Sequence, residues 1–133
     1  MAIVEWSDSF KIGEDEIDKE HWGLFALIHD LGDKFEQGAA EASINVTIDA
    51  LVAYVDIHFD HEERLMQDSG YPGFEDHKRA HEALTRQVAK LQEDWQRAPE
   101  TFDVEAMMDF LSNWLSEHIL NVDMKFAAYY KQQ

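Results

Sequence analysis

The sequence predicts an all-α protein, an up-down-up-down four-helix bundle with an N-terminal arm. Three observations predict it. In four separate stretches, apolar positions recur at alternating intervals of four and three, the seam of a helix packed in a bundle. Short breaks carrying glycine or proline separate the stretches. Nowhere does the pattern alternate strictly, as a half-buried strand would. At 133 residues and 45% hydrophobic, the chain suits one domain with a single core, over 1–133.

Residues 1–15 have no periodicity, but Ile3, Val4, Trp6, Phe10 and Ile12 make them an ordered arm packed along the bundle. The first helix is expected over about 17–37, with the stripe Ile17, His21, Leu24, Ile28, Leu31, Phe35, and Gly38 stops it. Gly23 and Gly32 inside it mark places of close approach, since each costs about 1 kcal/mol against alanine. The second helix, about 42–68, carries Ile44, Ile48, Leu51, Val55, His58, Glu62, Leu65 and ends at Gly70-Tyr71-Pro72-Gly73. The third, about 74–97, carries His77, His81, Leu84, Val88, Leu91, Trp95, and Pro99 closes it. The fourth, about 102–130, starts at Thr101 or Asp103, both good N-caps, and carries Val104, Met108, Leu111, Leu115, His118, Val122.

Composition excludes several partner classes. With 11 Lys+Arg against 28 Asp+Glu, the formal charge of −17 repels phosphate backbones and anionic lipid, so neither nucleic acid nor a membrane surface is expected as partner. No run approaches the roughly 20 apolar residues of a membrane span, and the first residues do not read as a signal peptide. The absence of cysteine rules out disulfides and thiolate ligands and fits a cytoplasmic protein.

The stripes themselves carry the chemistry. His21, His58, His77, His81 and His118 stand where hydrophobes belong, and so does Glu62. In an antiparallel bundle the start of the first helix, end of the second, start of the third and later half of the fourth share one level. Five imidazoles and Glu62 therefore meet in one core layer, and Asp123, about a turn beyond His118, can join them. Any one alone reads as an ordinary core histidine. The set does not, because buried imidazoles need partners and a buried carboxylate needs a counter-charge or a metal. Five nitrogen and two carboxylate ligands exceed a zinc tetrahedron and suit two six-coordinate first-row ions. Iron fits; copper, zinc and manganese are not excluded by donor type. His118 and Asp123 are five apart, so a regular α-helix points them about 140° apart. A π-type turn or comparable local distortion between about 117 and 124 would bring them into line; the alternative is a regular helix at the edge of the site with Asp123 reaching round from the side.

At these residues the chain resembles the hemerythrin family, and within it the single-domain bacteriohemerythrins. The matching elements are Trp6-Ser7-Asp8, Ile17-Asp18-Lys19-Glu20-His21, His58-Phe59-x-x-Glu62-Glu63, His77-x-x-x-His81 and His118-x-x-x-x-Asp123. The resemblance implies a non-haem di-iron centre, two irons cycling between Fe2+ and Fe3+ with a bridging oxo or hydroxo group. His77, His81 and His118 would bind one iron, which is filled. His21 and His58 would bind the other, which keeps an open position for O2. Glu62 and Asp123 would bridge both. The implied function is reversible O2 binding, as carrier, store or local supply for an O2-consuming enzyme, by a monomer that is not itself an enzyme. Leu24, Phe59, Trp114, Leu115 and Ile119 would form the apolar shell that excludes water around O2; Phe25 reads as core. Alternatives are a di-iron enzyme acting on O2, peroxide or nitric oxide, and an O2 sensor. No histidine here follows a Glu by three residues, which argues against the ferritin-like oxidases. His29 and His61 read as non-ligands; Glu63 and Glu117 read as surface charge, with acceptors for imidazole N–H groups as the alternative; and Met66, Met107, Met108 and Met124 read as gap-filling core.

Overall fold

A computed structural model describes residues 4–132, so Ile3 of the arm lies outside the described residues. The arm makes one 3-10 turn, Asp8–Phe10, and then runs into α1 (Asp15–Glu36), α2 (Glu41–Asp68), α3 (Phe74–Arg97) and α4 (Val104–His118). A π-turn, Ile119–Asp123, joins α4 to α5 (Met124–Tyr130), so the fourth rod of the bundle is one helix interrupted by a wider turn. The described residues contain no strand. Sequential helices pack on one another, α1 on α2 and α2 on α3, and α1 also meets α4.

Local chemistry sets the helix ends. The Glu14 carboxylate accepts from the Ile17 N–H at 2.8 Å, so α1 begins earlier than the stripe alone suggests. Asp103 caps α4 through the Ala106 N–H at 2.9 Å, which decides between the two candidate caps. Gly38 and Gly70, both at φ 69°, end α1 and α2. Beyond them the Ala39 N–H reaches back to the Lys34 carbonyl and the Tyr71 N–H to the Met66 carbonyl, closing orphan carbonyls as a left-handed cap does. Gly23 allows close approach of α2: a Cβ there would stand 2.1 Å from the Tyr54 hydroxyl.

The stripes face inward with few exceptions. Phe35 is 39% exposed because α1 reaches its end there. On α2, Met66 takes the core position in place of half-buried Leu65. Val122 is only half-buried, whereas Asp123 is 1% exposed, so the π-turn has moved the inward register by one residue. The Met124 N–H bonds to the Ile119 carbonyl, an i→i+5 bond, as expected of a π-type turn at the five-residue spacing. The arm packs as expected from its apolar residues: Phe10 and Ile12 are buried, and Trp6 lies against Phe10 and Phe25 at 5.8 and 5.9 Å between ring centres. Asp18 secures it by accepting from the Ile12 and Gly13 N–H groups at 2.7 and 3.2 Å.

One helix qualifies the expectation about membrane spans. α2 alone among the described residues is long and apolar enough by composition to cross a membrane. Its inward residues, Ile44, Ile48, Leu51, Val55, His58, Phe59 and Glu62, are buried within the bundle.

Candidate metal centre

The seven donors do meet at one level of the core. His21 sits near the start of α1, His58 and Glu62 near the end of α2, His77 and His81 at the start of α3, and His118 ends α4. Asp123 ends the π-turn. All are buried, from 0% exposure at His21 and Glu62 to 6% at His118.

Their geometry divides them into two groups. Glu62 Oε1 lies 2.8 Å from His77 Nε2 and 3.1 Å from His81 Nε2. Asp123 Oδ1 lies 2.9 Å from His77 Nε2 and 3.1 Å from His118 Nε2. The other oxygen of each carboxylate faces the remaining histidines. Glu62 Oε2 is 3.3 Å from both His21 and His58 Nε2, and Asp123 Oδ2 is 3.2 Å from His21 Nε2. So one oxygen of each carboxylate lies on the side of His77, His81 and His118, and the other on the side of His21 and His58.

These separations fit metal ligation. Adjacent donors around an octahedral ion with bonds of about 2.1 Å lie about 3.0 Å apart, near every distance above. The directions fit as well. Both oxygens of Glu62 and of Asp123, and both ring nitrogens of His21 and of His77, are buried with no aligned hydrogen-bond partner. Buried polar atoms are almost always satisfied. Six of these orphans, the four carboxylate oxygens and Nε2 of His21 and of His77, face one another without aligning, as lone pairs converging on ions between them would. Glu62, His77, His81, His118 and Asp123 can close around one ion, and His21, His58 and Glu62 around a second.

Without metal, the electrostatics are those of a mutual salt bridge. Burial pulls the His21 imidazole down, but Asp123 and Glu62 outweigh it and lift it to about 10. His77 is lifted the same way to about 9. Burial pushes Glu62 and Asp123 up, and the surrounding histidines more than reverse this, holding both below the usual carboxylate range.

Carboxylates also stand behind two of the donor histidines. His81 Nδ1 is 2.9 Å from Glu63 Oε2, so Glu63 is a hydrogen-bond acceptor rather than the solvated surface charge its sequence suggests. His58 Nδ1 is 2.9 Å from Glu20 Oε1, a role the sequence reading missed. The signal was available: Glu20 adjoins a stripe histidine, so it can point from α1 toward α2. Glu117 is exposed. His29 reaches the Val4 carbonyl at 3.2 Å and His61 meets Glu20, so both lie outside the donor cluster.

The apolar residues divide similarly. Phe59 stacks on His81 at 3.8 Å and 3° between planes, and Trp114 on His118 at 4.4 Å and 12°. Leu24, Phe59, Trp114 and Leu115, with five other apolar side chains, line a cavity of about 20 Å³ in the bundle. Ile119 is fully buried but does not line it, and Phe25 packs on Phe10 at 5.1 Å as core. Met66, Met107 and Met108 are buried in the core and Met124 packs against it.

Fold and site together define a class: four-helix proteins with a histidine- and carboxylate-lined pocket for a pair of metal ions. Within that class, the hemerythrin HHE cation-binding domain matches residues 13–130, and the chain belongs to the hemerythrin family. The bacteriohemerythrin of Stenotrophomonas maltophilia (strain R551-3) is 33% identical over 127 residues, 96% of this chain and 81% of that protein. That of Pseudomonas aeruginosa (strain LESB58) is 36% identical over the same shares. The myohemerythrin of Riftia pachyptila is 31% identical, covering 92% of this chain and 90% of that one. The crystal structure of a wild-type hemerythrin, 31% identical, superposes with a TM-score of 0.86 over 96% of this chain and 97% of that one.

Proposed function

We propose that this chain binds O2 reversibly at a non-haem di-iron centre. The observation that carries the reading is the unequal division of donors around two shared carboxylates. His77, His81 and His118 would hold one iron; His21 and His58 would hold the other. Glu62 and Asp123 would each give one oxygen to either ion, with a solvent-derived oxo or hydroxo group completing the bridge. The ion held by His21 and His58 would have one histidine fewer than the other, which would leave a position for a small ligand. When bound, the iron pair supplies the redox chemistry for O2 uptake and release.

The protein's own part is positioning and exclusion. Glu62 and Asp123 balance the ions' charge from within the core, and the carboxylates behind His58 and His81 orient their rings. The dry cavity beside Phe59 and Trp114 accommodates an apolar diatomic and gives water no partners. On this reading the protein is a carrier, store or local supply rather than an enzyme, and we propose that it acts as a monomer in the cytoplasm with an O2-consuming enzyme as recipient.

The test is visible absorption of iron-loaded protein through anaerobic reduction, air and degassing. A ligand-to-iron charge-transfer band should appear in air and disappear on degassing over several cycles. Immediate, irreversible conversion to the diferric form would favour the di-iron enzyme.

A further inference from the structure

We propose that Glu20 and His61 form an outer brace for the two-histidine metal position, in which Glu20 holds the His58 ring and His61 holds Glu20. The inference rests on His21 and His58 sharing one ion.

Four of the five imidazoles around the carboxylate pair differ in their support. Nδ1 of His21 and Nδ1 of His77 have no partner. His58 and His81 each have a carboxylate there, both at 2.9 Å. A neutral imidazole has one N–H and one lone pair. A carboxylate at Nδ1 keeps the N–H on that side and leaves the lone pair on Nε2, which here faces Glu62 Oε2 at 3.3 Å. In the two-histidine position, His58 is therefore the one ring with its tautomer and plane fixed.

Glu20 does not act alone. Its Oε1 accepts from His58, and its Oε2 meets His61 Nδ1 at 2.5 Å. His58 and His61 are three apart on α2, hence on one face, and a single carboxylate from α1 spans both. The His61 side chain is 50% exposed, while that of Glu20 is 20% exposed and that of His58 is 2% exposed. The brace thus runs from solvent to a buried ligand. An isolated surface pair of this kind contributes little stability. This pair orders a carboxylate whose other oxygen orients a metal ligand, and that is a different role. On the three-histidine side, Glu63 serves His81, so the two positions have separate supports.

The experiment measures anaerobic release of Fe2+ into a chelator and uses zinc-loaded protein for NMR of the ring N–H groups. Glu20→Ala should speed release of one of the two ions by about 10–100-fold, the usual effect of losing such a partner, and leave the other ion unchanged. Glu20→Gln, which keeps an acceptor, should restore part of the hold. His61→Ala should speed release of the same ion by a smaller factor, and the Glu20→Ala/His61→Ala pair should release it no faster than Glu20→Ala alone. Glu63→Gln should act on the other ion. In zinc-loaded protein, the His58 Nδ1–H resonance should shift and exchange faster with solvent in His61→Ala. Additive effects of the two alanine changes, or a His61→Ala chain with release and His58 resonance unchanged, would overturn the brace alone. Wild-type protein that binds fewer than two ions would overturn the site assignment beneath it.

Discussion

Stripping the metal ions leaves Glu62 and Asp123 buried beside His21 and His77, and this fixes how the metal-free bundle responds to pH. The two imidazoles lie 2.8 to 3.3 Å from the carboxylate oxygens. Despite burial, the carboxylates raise His21 from 6.5 to about 10 and His77 from 6.5 to about 9. A group with a raised folded pKa contributes stability fully present below its unfolded value. That share is complete below about 6.5 and is lost as pH rises through 9 to 10. Glu62 and Asp123 are lowered from 4.5 and 3.8, so their share is present above about 4.5 and is lost in acid. Stability of the metal-free chain should therefore peak between pH 4.5 and 6.5. Above that, the protons of His21 and His77 held only by the folded state give a slope of about −2.7 kcal/mol per pH unit, or about −1.4 if coupling leaves one shared proton, and His58, pulled down by burial but raised overall by Glu20 and Glu62, acts in the same direction. The metal-loaded chain should run the other way, because ligation requires neutral imidazoles. Urea midpoints of chelator-stripped and loaded protein across this range would test the reasoning. A metal-free midpoint that is flat or rising between pH 6.5 and 9 would refute it.

Three further outcomes are expected. Asp123→Ala removes an oxygen from each donor group, so elemental analysis should fall from two metals per chain to one or none; two retained would show that Asp123 is dispensable. Deleting exposed Asn121 should turn the π-turn into an α-turn, set Asp123 four residues after His118 at about 40°, and keep both metals; loss of metal would show that the wide turn itself is required. Gly23→Ala would place a Cβ 2.1 Å from the Tyr54 hydroxyl. The crowding costs about 1–3 kcal/mol against a helix gain of about 1. The denaturation midpoint should drop and recover when Tyr54 is also made alanine; a raised midpoint in the single variant would show that Tyr54 swings away freely.

Much of the protein was legible in one dimension. Spacing of four and three gives each side chain's angle about its own helix, which was enough to put His21, His58, Glu62, His77, His81 and His118 inside. The short breaks fix antiparallel order, which was enough to put them at one level. The five-residue step from His118 to Asp123 pointed to the π-turn, because a regular α-helix sets the two residues about 140° apart. What spacing does not contain is how far one helix is rotated against the next. That rotation decided that Glu62 turns one oxygen to His77 and His81 and the other to His21 and His58, and that Asp123 turns one to His77 and His118 and the other to His21. It also aimed Glu20 across at His58 and His61, and set Glu63 behind His81 rather than in solvent. Those contacts join residues 18 to 41 positions apart, so they exist only where packed side chains fix the rotation and separation of neighbouring helices.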